Sequence, residues 1–267
     1  MSQKLIVTPG TKIKLKDYDP EYTGGYEDKE EVEDQMDKIH EQLTELQELL
    51  YAESKHALLI VLQAMDTGGK DGTIRRVMSG VNPQGCDVRS FKVPSAEELA
   101  HDFLWRAHKV VPPKGKIIIF NRSYYEDVLV VRVHDLVPKE VWSKRHDQIN
   151  DFEKMLVENG TVIVKFFLHI SKKEQKERLE ARLKDPTKLW KFSEVDVKER
   201  EYWDDYMDAY EDVLSKCSTK WAPWYIIPAN RKWYRDLVVG EAIVEALKDL
   251  NMKYPEPKID PSKIKIE

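Results

Sequence analysis

Residues 58–73 read Leu-Leu-Ile-Val-Leu-Gln-Ala-Met-Asp-Thr-Gly-Gly-Lys-Asp-Gly-Thr. This is an apolar strand running into Gly68-Gly69-Lys70, with room for a helix just beyond. A strand, a glycine-rich turn and a helix opening on lysine form a phosphate cradle. Glycines let the backbone approach, N–H groups point at anionic oxygens, and the lysine adds a point charge. Two departures from the common pattern stand out. Ala64 opens the loop where glycine is usual, and Asp71 follows the lysine where a Ser or Thr hydroxyl ordinarily takes a metal ion. Asp66 adds a carboxylate inside the loop. For Asp71 the position favours first-turn capping or dipole stabilisation, whereas Asp66 lies ahead of the helix and suits a hard cation such as Mg²⁺. Gly68, Gly69 and Gly72 are the candidate phosphate-loop glycines, and Lys70 is the candidate catalytic cation.

The rest of the chain alternates short apolar runs (57–63, 88–93, 116–120, 161–168 and 223–227) with helical patterns (72–80, 95–109, 125–133, 138–158, 171–183, 195–216 and 232–250). Such alternation predicts an α/β fold: a parallel sheet of about five strands with helices on both faces. Residues 1–27 have no periodicity and read as an irregular arm, 28–250 as one domain, and 251–267 as a C-terminal tail. Within 28–55, Val32, Met36, Ile39, Leu43, Leu46 and Leu50 are spaced 4-3-4-3-4 as in a coiled-coil seam. That seam needs a partner, either the chain's own core or a second subunit.

Composition narrows the function classes. A net charge of −5 disfavours a general nucleic-acid binder, and no apolar run is long enough for a membrane helix. The start of the chain has no export signal, and two cysteines are too few for a disulfide framework or a zinc site, so a cytoplasmic setting is expected. His101 and His108 are seven apart rather than four, which excludes a helical zinc pair. Charge is nevertheless uneven. Residues 171–192 hold eight Lys/Arg against four acids. That excess suits either a lid over a polyanion or a solvated helix face.

Two further constellations sit where a phosphate-loop protein would place chemistry. Asn121-Arg122-Ser-Tyr-Tyr-Glu126-Asp127 follows the third apolar run. Arg122 can bridge phosphoryl oxygens or serve as a salt-bridge partner, and Glu126 and Asp127 are metal candidates because Asn121 takes the position of the usual acid. Arg178 and Arg182, four apart, share a helix face, with Lys188 and Lys191 beyond them. Arg75, Arg76 and Asn82 are close enough in sequence to the loop to be base-pocket candidates.

Met65-Asp-Thr-Gly-Gly-Lys-Asp-Gly72, Phe120-Asn-Arg-Ser-Tyr-Tyr-Glu-Asp-Val128 and Trp190-Lys-Phe192, in this order and spacing, resemble polyphosphate kinase family 2, as do Ser95–His108 and Ala222–Ala229. The resemblance spans roughly residues 50–250. It implies a thymidylate-kinase-like P-loop fold with a helical lid at about 171–192. The implied activity is reversible phosphoryl transfer from inorganic polyphosphate to ADP and AMP, giving ATP and ADP, with guanine nucleotides as further acceptors and Mg²⁺ or Mn²⁺ as cofactor. It also implies a homo-oligomer, a tetramer or dimer. By position, Asp66, Lys70 and Arg122 become catalytic, Asp66 and Asp127 hold metal, and Arg178, Arg182 and Lys188 hold polyphosphate. Arg75, Arg76, Asn82, Asn121 and Glu126 remain for the nucleotide. Asn121 with Glu126-Asp127 resembles the third class of that family, whose members use both mono- and diphosphates. The competing readings are an ATP-dependent nucleotide kinase of the same fold and a non-catalytic polyphosphate-binding protein.

Overall fold

The computed structural model describes residues 5–259 and residue 264. Among the described residues there are five strands, β1 (Ala57–Gln63), β2 (Cys86–Ser90), β3 (Ile117–Asn121), β4 (Thr161–His169) and β5 (Trp224–Pro228), all parallel in the order β2-β3-β1-β4-β5. β1 lies at the centre and every residue of it is buried, as expected of a strand covered on both faces. The helices are α1 (Glu30–Glu53), α2 (Lys70–Val77), α3 (Ala96–Leu99), α4 (Trp105–His108), α5 (Val130–Val133) and α6 (Lys139–Trp142). They continue with α7 (Arg145–Glu158), α8 (Lys172–Lys184), α9 (Glu194–Glu199), α10 (Trp203–Cys217) and α11 (Lys232–Lys248). One layer is α1, α11 and α2; the other is α7 with α10. Alternate side chains of β4 face the second layer, Lys165 meeting α7 and Phe167 packing on Tyr210 of α10, while Phe166 between them packs on Tyr225 of β5.

The fold is the expected α/β P-loop kinase arrangement, with several boundaries displaced. The predicted helix at 95–109 is two short ones. Ser95 and Glu98 close a capping box on α3, and Asp102 turns the chain by accepting from the Leu104 N–H before α4. The predicted helix at 195–216 is likewise broken by a 3₁₀ turn, Arg200–Tyr202, between α9 and α10. β2 starts at Cys86 and ends at Ser90, which leaves Phe91, Lys92 and Val93 to line a cleft rather than extend the strand.

The seam on α1 finds its partner inside the chain. Val32, Met36, Ile39, Leu43 and Leu50 are buried, and α1 lies against α11 so closely that a Cβ on Gly240 would come within 2.8 Å of Ile39 Cγ2. The core option is the one realised, so this stripe does not serve as a subunit contact. The described part of the arm is irregular but anchored: Val7 N–H donates to Trp224 O at 2.8 Å, and Ser218 Oγ donates to Val7 O. Residues 1–4, and 260–263 and 265–267 of the expected tail, lie outside the described residues.

Candidate active site

β1 and β3 end side by side, with Leu62 opposite Asn121 and the Arg122 N–H donating to Leu62 O. The loop after β1 and the residues after β3 therefore open into one cleft, at the carboxyl edge where open α/β sheets bind ligands. Its volume is about 650 Å³, and its walls include the loop 66–72, Ser90–Val93, Asn121, Arg122, Arg182, Lys191 and Asp196.

The loop is tight and left-handed in places. Thr67 has φ +62°, Gly69 has φ +106°, and Arg122 across the cleft has φ +60°. For non-glycine residues this region costs on the order of 1–3 kcal/mol each, and such strain concentrates where geometry is fixed for function. Gly68 is required sterically, since a Cβ there would lie 2.8 Å from Met65 O. The loop's outward carbonyls are satisfied from α8. Gln175 Nε2 donates to Asp66 O at 3.1 Å, and Arg178 Nη1 donates to Thr67 O at 3.0 Å and Gly68 O at 3.1 Å. Arg178 Nη2 also donates to Ala229 O and Asn230 O. Arg178 is thus a half-buried staple between the loop and the residues just before α11, not a cation lining the cleft.

Lys70 opens α2, is buried, and donates to Ala64 O at 3.0 Å. Burial, reinforced by Arg122, pulls its pKa down to about 8 against Asp66, Glu126 and Asp71. Arg122 pairs with Asp66 at 2.5 Å and with Glu126 at 3.7 Å. Burial works against the Arg122 charge, but Glu126 and Asp66 more than offset it, and its pKa lies above the usual arginine value. Arg182 pairs with Asp196 at 3.4 Å. Lys191 lies 3.7 Å from Asp71, whose carboxylate also accepts from Asn121 Nδ2 at 2.8 Å. Asp71 is therefore a cleft residue as well as a first-turn acid.

A profile of the polyphosphate kinase 2 family matches residues 26–255. The chain belongs to the polyphosphate kinase 2 family. It is 53% identical over 266 residues to the AMP/ADP-polyphosphate phosphotransferase of Meiothermus ruber, covering 99% of this chain and all of that protein. It is 50% identical to the ADP-polyphosphate phosphotransferase of Rhodopseudomonas palustris, across 96% of this chain and 92% of that one. The crystal structure of polyphosphate kinase 2 from Arthrobacter aurescens TC1 superposes with a TM-score of 0.93 at 46% identity, covering 97% of this chain and 93% of that one.

Not every residue singled out in the sequence reaches the cleft of this polyphosphate kinase 2 fold. Asp66, Gly68, Gly69, Lys70, Gly72, Asn121, Arg122 and Arg182 line it. Asp127 does not. It sits on the other side of its 3₁₀ turn (Tyr124–Asp127), held by Arg106 and Arg145 at 3.3 Å each, and is committed to that ion pair rather than to a metal at the loop. Glu126 lies half-buried beneath Arg122, where desolvation raises its pKa against the pull of Arg122 and Lys70. Arg76 pairs with Glu33 of α1, Asn82 closes a turn on the Gln84 N–H, Arg75 is exposed outside the cleft, and Lys188 pairs with Asp185. Residues the sequence did not single out also line the cleft: Asp196, Lys92 and the 90–93 wall. Arg235, reaching the back of the loop from α11, was missed as well.

The cleft fits a hard cation of the kind that borrows ligands from its substrate. Among the described residues no group of three acids, histidines or cysteines could hold a metal unaided. Mg²⁺ characteristically takes one or two protein carboxylates and completes its shell with water and phosphate oxygens, and Asp66, Asp71 and Asp196 all line the cleft.

Proposed function

We propose that this chain transfers the terminal phosphoryl group of inorganic polyphosphate to ADP and to AMP, reversibly and with Mg²⁺ or Mn²⁺. The observation that carries it is the convergence of Lys70, Arg122, Arg182 and Lys191 on one open cleft beside the phosphate loop. The names of the full-length relatives support the donor and acceptors. A nucleotide phosphate oxygen attacks the terminal phosphorus of the chain. A P–O bond forms to the nucleotide as the bond to the next phosphate breaks, and the leaving oxygen stays on the shortened chain. One anhydride replaces another, so no covalent enzyme intermediate is needed. Lys70 and Arg122 neutralise the charge that spreads over the transferring oxygens, and Arg182 and Lys191 bring cations from the lid side. Asp66 would hold the metal, which would supply neutralisation of phosphate charge.

The test is to incubate the protein with ADP or AMP, long-chain polyphosphate and Mg²⁺, and to follow ATP or ADP. Formation from both acceptors is expected. Turnover with ATP as donor but none with polyphosphate would instead assign an ATP-dependent nucleotide kinase.

A further inference from the structure

Arg235 is 2% exposed and projects from the first turn of α11 against the back of the phosphate loop. Its guanidinium is split in function. Nε donates to Asp236 Oδ1 at 2.8 Å, and Nη2 lies 2.7 Å from the same oxygen, so the counter-charge occupies one edge of the fork. The opposite edge, Nη1, faces Gly69. A Cβ added to Gly69 would overlap Arg235 Nη1 and would lie 3.6 Å from Arg178 Nη1, and one on Gly72 would meet Arg235 Nη2 at 3.5 Å. The missing side chain at Gly69 therefore does more than permit its left-handed turn. It admits a guanidinium against the loop backbone, and a second guanidinium, that of Arg178, approaches the same point.

Two like charges brought together under a loop repel each other, and the arrangement is retained only where something offsets the repulsion. Asp236 and Glu174 do so in part, each paired with its own arginine. A polyanion on the far side of the loop would do so further, because charges in a poorly screened setting act across a backbone's thickness.

We propose that Arg235 is a positioning residue of this site: it fixes the turn at Gly69 and charges the phosphate loop positively from behind, strengthening its hold on the phosphate chain of the donor. This rests on the polyphosphate reading above. The experiment measures binding of tripolyphosphate by calorimetry, which needs no turnover, and steady-state kinetics with long-chain polyphosphate and ADP, for wild type, Arg235→Met and Arg235→Lys. Arg235→Met should weaken tripolyphosphate binding and raise the KM for polyphosphate about tenfold, the scale of one fixed charge at short range, with a much smaller change in the KM for ADP. Arg235→Lys, which keeps the charge, should recover most of the loss. An Arg235→Met protein that folds and binds tripolyphosphate normally would overturn the proposal, as would an Arg235→Lys protein as impaired as Arg235→Met. Should Arg235→Met fail to fold, Gly69→Ala is compared in the wild-type and Arg235→Lys backgrounds. Relief of the alanine penalty by the slimmer lysine supports the contact, and an unchanged penalty refutes it. If wild type binds tripolyphosphate but forms no ATP, the functional reading fails while the Arg235 measurement still stands.

Discussion

Behind the residues that follow Arg122 lies an ion pair with no solvent contact. Lys165 Nζ meets Glu153 Oε2 at 2.6 Å, and both side chains are fully buried. Glu153 Oε1 also accepts from the hydroxyls of Tyr124 and Tyr125, each at 2.8 Å, while Lys165 donates to Tyr125 Oη at 2.9 Å and Cys217 O at 2.7 Å. The pair therefore ties β4 to α7, α10 and the 3₁₀ turn after Arg122. Replacing one partner leaves a charge buried without its complement, which costs about 3–5 kcal/mol. The two singles should not be equal. Glu153→Leu strands an ammonium with two neutral acceptors and deprives two tyrosines of theirs, whereas Lys165→Met leaves a carboxylate that keeps both phenol donors. Glu153→Leu should sit at the upper end of that range and Lys165→Met at the lower. Because apolar pairs often replace buried ion pairs without loss, Glu153→Leu/Lys165→Met should recover much of the stability of the worse single. Equilibrium urea unfolding of the four proteins measures this cycle. In the same samples kcat should fall in Glu153→Leu, since the turn that follows Arg122 loses its anchor. A Glu153→Leu cost below about 1 kcal/mol, or a double variant no better than that single, would refute the account.

Other consequences follow from the site and its surroundings. Lys70→Met should lower kcat with polyphosphate by on the order of 10²–10³, the loss typical of one transition-state donor, while circular dichroism shows an unchanged fold. Asp127→Asn should destabilise the protein by about 1–3 kcal/mol through loss of charge opposite Arg106 and Arg145, yet leave Mn²⁺ affinity unaltered; weakened Mn²⁺ binding would restore Asp127 as a metal ligand. His169, buried at the end of β4, has its pKa pushed down to about 4 by burial. Above pH 6.5 it is neutral in both folded and unfolded chains and costs nothing. As pH falls from 6.5 through 4 the unfolded chain takes up the proton first, so stability drops by up to about 3 kcal/mol. His169→Asn should flatten that part of a urea-midpoint profile between pH 7 and pH 4.

Local patterns carried the phosphate loop, and long-range ones did not reveal what surrounds it. Gly68-Gly69-Lys70 was legible because strand, turn and helix follow one another in sequence, and their pairing with β3 follows from parallel topology. Glu126 and Asp127 were indistinguishable as neighbouring acids. Only the 3₁₀ turn, with its three-residue period, sends one beneath Arg122 and the other towards Arg106 and Arg145. Arg178 and Arg182 share a helix face by spacing, but α8 lies so close to the loop that one turn is spent on carbonyls and the next opens on the cleft. The α1 seam gave a correct apolar stripe, and its partner, α11, is too far along the chain for periodicity to specify. Arg235 did leave a signal: an Arg-Asp pair heads a helix whose following residues, Leu237, Val238 and Val239, are all buried. A charged pair on such an element has to be paired internally.

The charge pattern of the cleft explains how a chain with net charge −5 can be suited to a polyanion. In the structure three of the cleft cations have a carboxylate beside them: Arg122 with Asp66, Arg182 with Asp196 and Lys191 with Asp71. These acids keep three long side chains ordered around the loop, so less side-chain entropy is lost when phosphate arrives. They do so without making the cleft repellent to itself. On the metal-dependent reading proposed above, a phosphate chain carrying a divalent cation would offer each member of a pair a new partner, phosphate oxygens for the guanidinium or ammonium and the cation for the carboxylate. A bare polyanion satisfies only half of that exchange, because it meets the acids as well as the bases. The departures from the common phosphate-loop pattern, Asp66 within the loop and Asp71 after the lysine, then make physical sense together. They provide counter-charges for the cations of the cleft, and on the metal-dependent reading proposed above they would make its affinity for phosphate depend on metal.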